Sequence, residues 1–209
     1  MRTSKRSQLI QAALEIIDKK SLDALTYDAL AKASGMSKSG LLYHFPSRTA
    51  LLLALNEHLA SSWRASLLEA AGAPPEELSA RERLRAVVEV LSQSATRADL
   101  LLALDTHTRE EGAEVWDEIL GPWLLPREEI LADPDIYLLY IIADGLWVHD
   151  HINSYDLTTQ ERRALITAAL AYLDSLPDVS QAHFENSPTR VDLSYFRSAK
   201  QVLGPLRSS

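Results

Sequence analysis

The stretch from Leu25 to Leu55 leaves little choice in how it folds. From Thr26 it reads TYDALAKASGMSKSGLLYHFPSRTALLLAL, which divides into two short helical segments around a tight turn, then a third helix after Pro46. Thr26 supplies a capping hydroxyl, with Leu25 and Leu30 at the positions of a hydrophobic staple. Ala31 is small enough for a second helix to cross closely. Gly35 suits a left-handed helix end, and Ser37 caps the second helix. That helix, Ser37 to Phe45, carries Lys38, Ser39, Gly40, Tyr43 and His44 and has mainly Leu41 to bury. So polar a helix on so small an apolar foundation is built to touch something outside the chain. Two helices around such a turn form the helix-turn-helix with which proteins enter the major groove of DNA.

The string GMSKSGLLYHFPSR from Gly35 to Arg48, with the leucines after it and an amphipathic helix before it, resembles the DNA-binding domain of the TetR family of transcriptional repressors. Two shorter strings, MRTSK at the start and ADGLWVHD at 143–150, resemble a corynebacterial multidrug-responsive member. The resemblance implies an all-α chain: an N-terminal three-helix helix-turn-helix DNA-binding domain followed by a helical ligand-binding and dimerisation domain. The expected division is 1–47 for the DNA head and 48–176 for the body, with a fourth helix over 48–71 joining them. A polar tail, 177–209, holds at most one short helix around Leu193, Phe196, Ala199 and Leu203. The resemblance also implies a homodimer on a palindromic double-stranded operator, released by a small-molecule inducer, with no cofactor and no enzymatic activity. By resemblance, phosphate contacts fall to Thr26, Tyr27, Ser37, Tyr43, His44 and Arg48, and base-edge contacts to Lys38 and the Ser39–Gly40 backbone. Physically, a tyrosine hydroxyl donates to a phosphate oxygen, and Gly40 lets backbone approach the groove. Arg48 sits in a first helical turn, where free amides already favour an anion.

Charge distribution agrees with such a division. The chain has a net charge of −8, yet residues 1–50 hold eight Lys/Arg against four acids, while the remainder carries −12. A basic head on an acidic body resists indiscriminate adhesion to nucleic acid. The absence of cysteine excludes disulfides and thiolate chemistry. No apolar run approaches the 18 or so residues of a membrane span, and the N-terminus lacks a signal-peptide core, so no membrane partner and a cytoplasmic location are expected.

Leucine (36) and alanine (27) far outnumber valine (8), which favours helix throughout. The first helix, Thr3 to Lys20, puts Ile10, Ala13, Leu14 and Ile17 on one face. Gly72-Ala-Pro-Pro75 ends the fourth helix, and a capping box from Ser79 to Glu82 opens a fifth through Thr96. A short apolar helix spans Ala98–Leu104. Thr108 to Glu111 is a further possible box, before a helix that Gly121-Pro122 interrupts and Pro126 stops. Asp133-Pro134 starts a helix to Asn153 that is apolar nearly all round and must be covered all round. Thr158 to Glu161 is a last capping box, opening an alanine-rich helix to Leu176.

All four tryptophans lie outside the head. Trp63, Trp116, Trp123, Tyr140 and Trp147, with Leu100 and Val148, are expected to wall a ligand cavity, and Asp105 and Asp144 to supply its carboxylates. Such a cavity favours lipophilic or flat cations through cation–π attraction and charge pairing. Leu138, Ile142, Gly145 and His149 of one helix, with Ala168, Ala169 and Tyr172 of the last, are expected to pair two copies as a four-helix interface. His149-Asp150 admits a second reading, a helical metal-dependent phosphohydrolase of the HD type completed by His107 and by Asp156 or Asp174. A regulatory metal on His107, His149 and His151 with Asp105 or Asp144 is the third. His149 and His151 are two apart on a helix and cannot share an ion within one chain.

Overall fold

The computed structural model describes residues 4–105 and 109–177, and over these the chain is all-α. Ten α-helices follow one another among the described residues: α1 (Lys5–Lys19), α2 (Tyr27–Ser34), α3 (Lys38–His44), α4 (Arg48–Ala71), α5 (Ala80–Leu91), α6 (Arg97–Leu104), α7 (Arg109–Leu120), α8 (Arg127–Ala132), α9 (Pro134–Ile152) and α10 (Thr159–Ser175), with a 3-10 turn at Pro75–Glu77.

Local chemistry sets their ends. Ser4, Thr26, Ser37 and Ser47 each accept an amide hydrogen bond at the start of α1 to α4. Gly35 (φ 67°) and Gly72 (φ 74°) close α2 and α4 in the left-handed region, where a Cβ would be strained. Full capping boxes open α5 at Ser79 and α10 at Thr158. Asp133 accepts the amides of Asp135 and Ile136 ahead of Pro134. The expected box at Thr108 and the helix in the tail lie outside the described residues.

Two expectations were misplaced. The fifth helix stops at Leu91 rather than Thr96, because Thr96 is itself a cap: its side chain and Asp99 form a capping box that begins α6. Pro126 does not merely stop a helix; it precedes the short α8, whose first turn carries Glu128 and Glu129.

Two apolar clusters hold the chain together, and α4 runs through both. The first joins Leu9, Ile10, Ala13 and Ile17 of α1 to Leu25, Leu30, Leu41, Phe45 and the first half of α4. Ala98 and Leu102 of α6 complete it, so a helix distant in sequence packs on the amino-terminal unit. The second gathers Leu67, α5, Trp123, Leu125, α9 and α10. The 24 residues of α4 make a rod about 36 Å long between them.

Candidate nucleic-acid interface and ligand cleft

The helix-turn-helix forms around one buried side chain per short helix, Leu30 and Leu41, both fully excluded from solvent. This leaves the rest of α3 outward. Lys38, Ser39, Leu42 and Tyr43 are exposed, and Tyr43 retains 86% of its accessible surface. Its ring meets His44 edge-on, centroids 5.4 Å apart. The ammonium of Lys38 reaches Asp28 of α2 at 3.1 and 3.4 Å. Both partners of this pair are largely in solvent, where such a contact is worth about 1 kcal/mol at most. Lys38 therefore exchanges Asp28 for another acceptor at little cost.

Other expected DNA-contact residues have structural partners. Thr26 accepts the Ala29 amide at 3.1 Å, and Ser37 the Gly40 amide at 3.2 Å, with Ser39 Oγ a further 3.1 Å contact. The Tyr27 hydroxyl donates to the Phe45 carbonyl at 2.5 Å, tying the start of α2 to the end of α3. Arg48 donates to the carbonyls of Leu25 (2.5 Å) and Leu22 (3.0 Å), which fastens the α1–α2 loop to α4. These two side chains shape the head with the groups expected to meet phosphate.

The fold itself places a demand on Gly40. A Cβ there would lie 2.9 Å from Met36 Cγ and 3.3 Å from the Ser37 capping oxygen. Gly40→Ala should therefore lower stability by about 1–3 kcal/mol, the usual range for an overpacked site. Thermal unfolding followed by circular dichroism reads this directly; an unchanged midpoint would contradict it.

In the body the tryptophans separate into two groups. Trp63 stands edge-on to Trp116 (6.2 Å) and to Trp147 (6.4 Å), linking α4, α7 and α9. The Trp116 indole donates to Asn56 Oδ1 at 3.1 Å, and buried Asn56 in turn donates to the Leu52 carbonyl. Trp123 and Tyr140 belong instead to the second core cluster, 2% and 9% exposed. They fill space rather than wall it. Leu100 and Val148 are half-buried, and Asp105 caps the end of α6. Asp144 forms no hydrogen bond or ion pair among the described residues, and burial pushes its carboxyl up to about 6.

Among the described residues a cleft of about 690 Å³ opens where α1 meets α4, α5, α6 and α9. Trp63 and Trp147 border it, together with Glu15, Asp18, Glu69, Glu89 and Asp99. Among the described residues no Lys, Arg or His lines it. Of the expected ligand residues, all of them described, only these two tryptophans reach the cleft.

A polar joint lies beside it. Buried Arg162 of α10 donates to the carbonyls of Ser92 (2.9 Å) and Leu146 (2.6 Å) and to Asp150 (2.8 Å). Asp150 also accepts from Ser94 and the Leu157 amide, and meets His149 at 3.1 Å. The short link between α5 and α6 is held further by Ala95, whose amide donates to the Trp147 carbonyl and whose carbonyl accepts from His151. At the next residues the Ala98 amide donates to Asp18 of α1 at 2.7 Å. His149 and Asp150 are thus engaged within the fold, and among the described residues no three His, Asp or Glu side chains gather as a metal would need. His107 lies outside the described residues.

On α9 the outward apolar stripe is Leu138, Ile141 and Ile152, with Gly145 open between them. Ile142 packs on the second core cluster, and His149 lies against Tyr155 at 5.2 Å. On α10, Ala168 is exposed but Ala169 turns into the core at 4%, and Tyr172 donates to Asp135 at 2.5 Å. Ile141 and Leu165, outside the expected set, are exposed as well. The helical phase reads one position differently because Leu139 and Leu146, equally apolar, take the inside.

Residues 9–55 match the family model described as bacterial regulatory proteins, tetR family, and residues 79–174 match that of the tetracyclin repressor-like C-terminal domain. Among solved structures, the chain is similar to the multidrug binding protein EbrR complexed with imidazole, at 18% identity over 87% of this chain and 99% of that one, TM-score 0.51. A TetR-family transcriptional regulator from Mesorhizobium loti gives 17% over 82% and 94%, TM-score 0.56. The regulator FadR from Bacillus subtilis, in complex with stearoyl-CoA, gives 19% over 80% and 97%, TM-score 0.51. At these identities the likeness is one of fold. No curated protein is significantly similar to the chain.

Proposed function

With both units matched, the chain belongs to the TetR family of DNA-binding transcription regulators, and we propose that it is a repressor whose dimer binds a palindromic operator and is released by a small lipophilic cation. The observation that carries the reading is the exposed face of α3, Lys38, Ser39 and Tyr43, raised on a packed three-helix head. One head covers half a site, and two related by a twofold axis meet successive major grooves. The stripe of Leu138, Ile141 and Ile152, with Gly145, Leu165 and Ala168, is the surface to which we assign the pairing.

Charge favours the inducer class. EbrR was also solved with ethidium, and FadR with an acyl-CoA. A cleft bordered by five carboxylates and two tryptophans, with no basic side chain among the described residues, suits the first chemistry and repels the second. The strings at 1–5 and 143–150, which resemble the corynebacterial repressor CgmR, favour the same choice. Release follows as a population shift. A ligand between α1 and the α4–α5 wall prefers one head orientation, and α6 carries that preference through Ala98 to Asp18.

Binding to the chain's own upstream DNA should weaken steeply with salt, as phosphate contacts release counterions. Tetraphenylphosphonium, a cation that does not intercalate, should quench tryptophan fluorescence saturably and free the DNA. Neutral triphenylphosphine oxide should do neither. Salt-insensitive binding would overturn the DNA reading, and equal action by the neutral compound would overturn the cation.

A further inference from the structure

α3 has one outward side chain that neither the fold nor phosphate chemistry employs. Leu42 keeps 42% of its surface exposed on a helix of seven residues, while the adjacent Leu41 supplies the whole apolar anchor. A helix places residues three and four apart on one face. Leu42 therefore stands one turn beyond Lys38 and Ser39, on the face expected to meet base edges. An exposed leucine at a random surface position calls for no explanation. This one lies on the strip that would enter the groove, between an ammonium, a hydroxyl and the tyrosine ring of position 43.

The major groove offers such a side chain a single apolar partner, the C5 methyl of thymine. We infer that Leu42 is a specificity-determining residue that reads one thymine methyl in each half of the operator. It selects T·A there and leaves the polar contacts of Lys38 to a neighbouring base pair. This rests on the DNA-binding reading and adds to it a base preference.

Replacing thymine by deoxyuridine removes the methyl and nothing else. With the protected upstream DNA in hand, each symmetric pair of thymines is exchanged in turn and the dissociation constant measured. Burying one methyl is worth about four-fold in affinity, hence about ten- to twenty-fold for both halves of the site together. One symmetric pair should show that loss with the wild-type chain. Leu42→Ala should bind the thymine operator about as weakly as the wild type binds the uracil one, and should no longer distinguish them. Leu42→Met, which keeps an apolar reach, should retain discrimination.

If no thymine pair is sensitive, or if Leu42→Ala discriminates as strongly as the wild type, the inference is wrong while DNA binding stands. If no upstream DNA is bound at all, it is the DNA-binding reading that fails. The deoxyuridine series needs no variant, so a folding defect cannot decide the outcome.

Discussion

Replacing both Lys38 and Tyr43 by alanine should abolish operator binding while leaving the fold intact. Neither side chain supports the core: the Lys38 side chain is 60% exposed and Tyr43 86%. What they lose is external. A charged contact to a base edge is worth about 1–3 kcal/mol of discrimination. A hydrogen bond to a charged phosphate adds about 1.5–3 kcal/mol. In the proposed dimer each loss occurs in both heads, so affinity should fall by at least about a thousand-fold even at the low end of these ranges. Fluorescence anisotropy with a labelled upstream fragment measures it, and circular dichroism of the same sample checks that helicity and melting are unchanged. Wild-type affinity in the double variant would remove α3 from the interface. Single variants separate the two parts. Tyr43→Ala should weaken all sequences alike, whereas Lys38→Ala should flatten preference at one base pair.

The sequence carried the head almost entirely, because its determinants are local. A capping hydroxyl, a left-handed glycine and one buried leucine per helix act within a few residues of themselves, and Thr26, Gly35, Ser37 and Leu41 all take those positions. What the string could not convey was how far long side chains reach. Arg48 stretches across 23 residues of sequence to the Leu25 carbonyl, and Tyr27 across 18 to Phe45. Both are contacts of tertiary structure, invisible to spacing. Thr96 and Asp99 did carry a readable box, and the polar Ser92-Gln93-Ser94 run before it marks the break between α5 and α6.

The body was legible as helices but not as surfaces. α9 is apolar on every side, so periodicity gives no phase, and packing alone sent Leu139 inward and Ile141 outward. The aromatic residues show the same limit. Composition placed Trp123 and Trp147 in one cavity wall, yet Trp123 sits within the core of α5, α9 and α10, and Trp147 borders the cleft. The acids that give the cleft its character, Glu15 and Asp18 of α1 with Glu69 of α4 and Glu89 of α5, are far apart in sequence and are brought together only by the packing of these helices.

Removal of the Arg162 guanidinium should produce the largest loss of stability. Arg162 is 8% exposed and ties two elements to its own α10: the end of α5 through Ser92, and α9 through both Leu146 and Asp150. Arg162→Met keeps much of the volume but takes a donor from the Ser92 and Leu146 carbonyls and leaves Asp150 without its cation. Breaking a buried pair from one side costs about 3–5 kcal/mol. For a chain of this size that is a fall of about 6–20 °C in melting temperature, at fixed protein concentration. Asp150 gives the same joint a pH signature. Burial alone would raise its carboxyl, but Ser94, the Leu157 amide, His149 and Arg162 together hold it well below the usual carboxylate range. A carboxyl depressed in the folded state contributes stability that is complete above its unfolded value, about 4, and is lost as pH falls below it. Wild-type melting temperature should therefore drop more steeply below pH 4 than that of Asp150→Asn, which has no such charge to lose. Because Ser94 and Ala95 lead straight into α6, and Ala98 is bonded to Asp18, the damage should not stop at stability. Arg162→Met should bind DNA but respond less to tetraphenylphosphonium if release runs as proposed, because the link from α5 to α6 is then no longer fixed at its origin. Equal melting in the two proteins would show that this joint bears no weight in the fold.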